Sequence, residues 1–413
     1  MTATAVRRAV VAGAALAAAI LALPAGARAV SGPRLSASAA ALVEESTGQR
    51  LYGQSSRTEL AIASTTKLMT ALIALEHVHR LSTEFIQNNY VPAPADSQIG
   101  LLPGQRMSVH DLLIALLLPS ADDAAEDLAY NVGHQSVSRF VAMMNVRARQ
   151  LGLKHTHYST PIGLDTPGNF STASDLVKLA RYVLQAQPFF RRVVALPAAS
   201  LRTGPVRYVL NRNTLVGRVP WINGVKTGHT LDAGYVLVGS GTRGGMTLIS
   251  SVLGTTSESS RNSNTLALLS WGFANFHLLE PVRAGMVMAK PTVRYSPGKH
   301  ATVVAASDFV HVFRKSSAVR VRVKVPSELA GPIARGARVG TAYVLERGRI
   351  VATVPLLLAR GLPAVSVLTI AAEFLIRPAT LLAVVLLLCA ALGAVMLWRQ
   401  RSRATVATPR AIR

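Results

Sequence analysis

The 413-residue chain is half apolar, 15% charged and 5% aromatic, with a formal net charge of +24. That length allows two or three domains with a sizeable core, and the apolar share excludes a disordered or purely polyanion-coating protein. Its single cysteine, Cys389, excludes an intrachain disulfide, a cysteine-based zinc site and a dithiol redox centre.

The chain starts with a short basic stretch (Arg7, Arg8), a continuous apolar run and the small-x-small triplet Ala27-Arg28-Ala29. This layout predicts a secretory signal peptide over residues 1–29 and a mature chain from Val30, with an uncleaved anchor helix as the alternative. Residues 30–281 mix helix and strand signals. Ala41 to Gln54 reads as two short strands around Thr47-Gly48, and Ser64 to Val78 carries Leu68, Leu72 and Leu75 at helical spacing. Asp122 to Ala129 opens a second helix pattern. Gly234–Val238 and Met246–Ile249 read as paired strands with a Gly-rich turn between them.

From 282 to 360 the character changes to a small β-rich domain. Val319 to Val325 alternates strictly between valine and a basic residue, as a half-buried strand does. Fourteen basic residues meet three acids there, a charge of +11. Either a solvated face or attraction to lipid head groups or wall polymers accounts for it. Residues 361–377 read as a linker or an amphipathic segment on the surface. Residues 378–398 carry no charge, and about 20 such residues span a bilayer. Arg399, Arg401 and Arg403 open a basic tail (399–413), which the positive-inside rule assigns to the cytoplasm. The expected protein is thus secreted, anchored by one C-terminal transmembrane helix, with an extracytoplasmic body.

Some motifs carry no chemistry. Gly239 to Gly244 matches GxGxxG but sits between two strands with no helix following, so it predicts a hairpin loop rather than a dinucleotide site. The pairs His77/His79 and His155/His157 lack the support of a metal motif. Basic charge without interleaved aromatics, on an exported chain, speaks against nucleic acid as a partner.

Others form a coherent set. Only eight of the 44 cationic residues are lysines, and lysine, unlike arginine, can lose its proton in a protein. Ser64-Thr65-Thr66-Lys67 is SxxK at a helix start, where positions i and i+3 share a face, so a neutral Lys67 can take the Ser64 proton during attack on a carbonyl. Ser296 to Lys299 has the same spacing, but on a turn. Ser120-Ala121-Asp122 enters the second helix pattern, where a plain N-cap serine is the alternative reading. Lys226-Thr227-Gly228, followed by His229, precedes the Gly234 strand. A strand bearing Lys and Thr can hold a carboxylate, and Gly lets the backbone lie close to a ligand.

In this order, SxxK, SxN-like and KTG form the set shared by class A β-lactamases and penicillin-binding proteins. With IASTTKLMTALIALE, LGLKHTHYSTPIGLD, VKTGHTLDAGYVLVGS and SRNSNTLALLSWGF beside them, the chain resembles the D-alanyl-D-alanine carboxypeptidase family of low-molecular-mass penicillin-binding proteins over residues 35–280. The resemblance implies an α+β fold, an antiparallel sheet flanked by helices, followed by the small β domain and the anchor. It implies Ser64 as the nucleophile that forms an acyl-enzyme, Lys67 as general base, and Ser120 as proton relay. Lys226 and Thr227, helped by Arg261, would bind the terminal carboxylate, and the N–H groups of Ser64 and His229 would form the oxyanion hole. The substrate would be the peptidoglycan stem peptide and β-lactam antibiotics the covalent inhibitors. No cofactor or metal is expected.

One position departs from the family: Asp122 stands where Asn is expected. A carboxylate beside Lys67 favours its ammonium form, which predicts a slowed enzyme with an alkaline-shifted optimum, unless Asp122 is protonated in a dry site or Lys226 balances it. Three alternatives follow. They are a DD-endopeptidase, a weakened wall-binding relative and a β-lactamase; no glutamate lies between Asp127 and Lys226 to serve the last.

Overall fold

The computed structural model describes residues 32–93, 96–376 and 378–404. The expected signal peptide, and the tail beyond residue 404, lie outside the described residues. The chain forms two compact units. The first takes the chain up to Val43, Arg50–Thr242 and Leu248–Gly272; the second takes Glu44–Gln49, Arg243–Thr247 and the chain from Phe273 onward.

The first unit is built on a five-stranded sheet in the order Arg50–Gln54, Ala39–Glu44, Met246–Thr255, Gly234–Arg243, Ile222–Thr230. Two strands of this sheet precede the helices that lie between Gln54 and Ile222, three follow them, and a further helix, Glu258–Asn275, comes after the last strand. The pair expected around Thr47-Gly48 is present and antiparallel, with Leu42 opposite Tyr52. The GxGxxG stretch ends in a hairpin: Gly244 and Gly245 both take positive φ (55° and 75°) between adjacent strands, the conformation a two-residue type I′ turn requires.

Three helices carry side-chain caps that their sequences provide. Ser108 accepts from Asp111 N, Ser136 from Arg139 N and Thr172 from Asp175 N. The helix Lys67–His77 has no such cap. It packs against the helices Val109–Leu117, Asp122–Val132, Val137–Gln150 and Ala173–Ala186. Every residue from Lys67 to Ala74 is buried, whereas Leu75 is only partly so. The stripe read from Leu68, Leu72 and Leu75 therefore understated this element. It is a central helix, apolar nearly all round because neighbours cover every side.

In the second unit a five-stranded sheet runs in the order Val287–Ala289, Val303–Ala305, Arg349–Leu358, Arg338–Glu346, Val319–Lys324. A two-stranded sheet, Phe276–Val282 with Phe309–Arg314, contributes Val282 and Phe313 to the same core as Val344 and Leu356. The alternating strand has Val319 and Val321 against that core and Arg320 and Arg322 outward. Val323 is 36% exposed, so the half-buried character fades towards the strand's end. Helices then cover Val367–Ile376 and Pro378–Ala404. Pro378–Arg401 has a mean hydropathy of 2.8 and its apolar window is not buried at all.

Candidate active site

Ser64 lies in a 3-10 turn, Ala63–Thr66, that runs directly into the helix starting at Lys67. Residues three apart eclipse one another in that geometry, so the turn stacks the lysine against the hydroxyl. The turn is strained and tightly held. Ala63 takes φ +47°, and Thr65 Oγ1 donates to Ile62 O at 2.7 Å. Gly163, at φ +91°, passes so close that a Cβ there would fall 2.2 Å from Ala63 O.

Lys67 Nζ is wholly buried and has three polar neighbours: Ser64 Oγ at 2.8 Å, Asp122 Oδ1 at 2.5 Å and Ile162 O at 2.8 Å. An ammonium donates to all three. A neutral amine has two N–H donors and one lone pair; Asp122 and Ile162 accept the two, which turns the lone pair towards the Ser64 hydroxyl. Burial lowers the Lys67 pKa, and the Asp122 carboxylate works against that drop without cancelling it.

Ser120 stands at φ +70°, 2% exposed, and its Oγ has no hydrogen-bond partner among the described residues. The N-cap alternative fails: the residue before the helix Asp122–Val132 is Ala121, and no side chain caps it. A left-handed non-glycine residue costs of order 1–3 kcal/mol and an unmet buried hydroxyl about as much again. Such costs persist where a site needs them.

The strand Ile222–Thr230 brings the third motif to the same place. A Cβ on Gly228 would lie 2.9 Å from Ser64 N and 2.9 Å from Ala63 Cβ. The glycine thus lets the strand approach the nucleophile's own turn, a tighter reason than access for a ligand. Lys226 is buried and donates to Thr227 O at 3.0 Å. Burial, then repulsion by Lys67 and Arg212, holds its pKa well below the usual lysine value. An arriving anion would reverse that penalty.

Ser64, Ser120, Thr227, Gly228, His229 and Arg261 line one cleft of about 420 Å³, with Lys67 and Asp122 joined behind Ser64. Sequence reasoning missed several of its parts. The Ile162 carbonyl, a backbone group, carries no signature. Arg212 also lines the cleft, is exposed, and its side chain has no hydrogen bond or ion pair among the described residues. It is one of 36 arginines, and nothing local singles it out. Arg261, expected to help hold a carboxylate, lines the cleft and is paired with Glu258 at 2.9 Å and with Asn262. His77 and His157 meet backbone oxygens close in sequence, on Ile73 and Gly168, and His155 meets the Glu59 carboxylate.

A serine hydroxyl on a buried lysine, an unpartnered second serine and a cationic strand around one cleft define an active-site-serine acyl-transfer enzyme. Residues 26–257 match the D-alanyl-D-alanine carboxypeptidase family, and residues 276–363 match the penicillin-binding protein 5 C-terminal domain. The chain belongs to the D-alanyl-D-alanine carboxypeptidase family. It is 31% identical over 338 residues to a D-alanyl-D-alanine carboxypeptidase of Salmonella typhimurium, covering 78% of this chain and 86% of that one. It is 37% identical over 238 residues to one of Mycobacterium tuberculosis, covering 55% and 79%. The crystal structure of penicillin binding protein 5 from Haemophilus influenzae superposes with a TM-score of 0.66 at 28% identity, covering 81% of this chain and all of that one. These likenesses agree with the expected α+β fold and favour the carboxypeptidase over the three alternatives.

Proposed function

We propose that this chain removes the terminal D-alanine of peptidoglycan stem peptides through an acyl-enzyme on Ser64, and that β-lactams trap the same serine. The observation that carries the reading is the 2.8 Å contact of the buried Lys67 amine with Ser64 Oγ. In its neutral form Lys67 takes the hydroxyl proton as Ser64 attacks the carbonyl of the D-Ala-D-Ala bond. The N–H groups of Ser64 and His229, held together by the close pass at Gly228, stabilise the oxyanion. Ser120 hands a proton to the departing D-alanine. Lys226 and Thr227, helped by Arg261, hold its carboxylate, with Arg212 on the same cleft. Asp122 holds Lys67. Water then frees the shortened peptide and restores Ser64.

The remaining layout belongs to the same proposal. Residues 1–29 act as the signal peptide, 30–281 as the catalytic domain and 282–360 as the basic β domain. Residues 361–377 link it to a transmembrane anchor at 378–398, and 399–413 remain in the cytoplasm, so the cleft faces outward. An uncharged helix at the chain's C-terminal end, followed by arginines, supports this arrangement.

The direct test is D-alanine release from a peptide ending in D-Ala-D-Ala, scanned from about pH 6 to 10 across the range in which a depressed lysine titrates. Release by the chain and its loss in Ser64→Ala, with labelled penicillin bound only to the former, is the expected result. Release that survives Ser64→Ala would refute the assignment.

A further inference from the structure

The outward face of the sheet in the second unit is amphipathic. On the edge strand Val319–Lys324, Arg320 pairs across with Leu345, Arg322 with Tyr343 and Lys324 with Thr341. The next strand adds Ile350, Thr353 and Pro355 in the same rows. Directly paired residues share a face, and alternate residues along a strand stand about 6.7 Å apart. Three cations therefore form a column, beside a second column containing Tyr343 and Leu345.

No acid occupies these rows. Arg320, Arg322 and Lys324 are exposed, and among the described residues none has an ion-pair or hydrogen-bond partner. On the opposite rows Val321, Val344 and Ala342 turn towards the core, while Val323, exposed near the strand's end, joins the border of the outer depression. Arg322, Lys324, Tyr343, Leu345 and Ile350 also border a depression of about 420 Å³, and Ile350 is 58% exposed.

We propose that this face docks on the anionic head groups of the bilayer crossed by the chain's own C-terminal helix. The inference rests on the anchor reading and adds a second membrane contact to it. The cations supply charge complementarity to an anionic lipid surface. The aromatic and aliphatic groups gain from the boundary between head groups and acyl chains; a hydrated polyanion would leave them wet. The tether is short as well. The sheet's last strand ends at Leu358 and the apolar helix begins at Pro378, which keeps the local concentration of lipid surface high.

The test uses the full chain in nanodiscs of phosphatidylcholine alone or mixed with phosphatidylglycerol. A fluorophore is attached at Thr353→Cys in a Cys389→Ser background, and a lipid-borne quencher reports contact. Anionic lipid should raise the docked-to-free ratio by about 10²-fold for three charges at low salt. High salt should abolish the gain, as should Arg320→Gln, Arg322→Gln and Lys324→Gln combined, while penicillin labelling stays unchanged. Equal quenching in neutral and anionic discs, with the chain inserted, would overturn docking alone. Shielding of the fluorophore from an aqueous quencher by soluble poly(glycerol phosphate), with no response to anionic lipid, would reassign the face to a wall polymer. A chain that co-purifies with neither type of nanodisc would overturn the anchor, and the docking proposal with it.

Discussion

A carboxylate and an amide at position 122 fill nearly the same volume but act oppositely on Lys67. The amide can leave the lysine neutral, whereas the carboxylate at 2.5 Å favours the ammonium form. In this site burial outweighs that pull, and the Lys67 pKa still falls below the ordinary value. The expectation of an alkaline-shifted optimum therefore rests on the carboxylate's pull alone, which burial opposes. In Asp122→Asn the raising influence is gone, so the neutral fraction at pH 7 grows by about tenfold for each unit of pKa removed. We expect the acid-side limb of penicillin acylation to move to lower pH in that variant, with a faster rate near neutrality. An unchanged limb in a full pH–rate profile would show that Asp122 does not govern the base.

The helix Asp122–Val132 places four acids, Asp122, Asp123, Glu126 and Asp127, in largely buried positions. Asp122 and Asp123 sit in its first turn, where the helix dipole favours negative charge, and Asp123 accepts from the N–H groups of Ile99 and Leu101. Further along, that compensation fades. Burial, reinforced by Asp122, pushes Glu126 up to about 7, and burial, reinforced by Asp123, pushes Asp127 up to about 7. In the unfolded chain both titrate near pH 4, so between those values the folded state holds more protons. Their stabilising contribution is full below about pH 4 and is lost as pH rises to about 7. The loss is of order 3 kcal/mol for each group. Thermal unfolding followed from pH 5 to 8 should show a falling Tm, and Glu126→Gln should flatten that slope. Parallel Tm curves for the two proteins would remove Glu126 from the account.

Taken whole, the molecule concentrates its acids and its cations in different places. Helix Asp122–Val132 of the first unit gathers four of the chain's 20 acids, while residues 282–360 carry fourteen basic residues against three acids. The exposed apolar helix Pro378–Ala404 is long and apolar enough to fit a membrane anchor. Ending the chain at Pro363 should leave penicillin labelling intact, because neither terminal helix contributes to the cleft, and should move the protein from vesicle-bound to free in flotation. Continued tight flotation of the shortened chain, insensitive to salt, would show that another segment holds the membrane.

Much of this is legible in the amino-acid sequence. SxxK, Ser120 and KTG announce themselves because each depends on side-chain type at short spacing, and the anchor does so because uncharged length alone meets the bilayer's thickness. The hairpin at Gly244-Gly245 is equally local, since the turn's dihedrals admit few residues. What the folded chain alone decided comes from segments distant in sequence. The Ile162 carbonyl reaches Lys67 across 95 residues, Arg212 joins the cleft from a loop with no motif, and Glu258 pairs with Arg261 at the cleft wall. The alternative of a cap at Ser120 is set aside by the fold, where Ala121 precedes the helix and the Ser120 hydroxyl has no partner among the described residues. Local pattern records what a residue can do, and burial and long-range packing settle which partner it meets, because a lysine's proton and a carboxylate's charge depend on the groups brought around them in space.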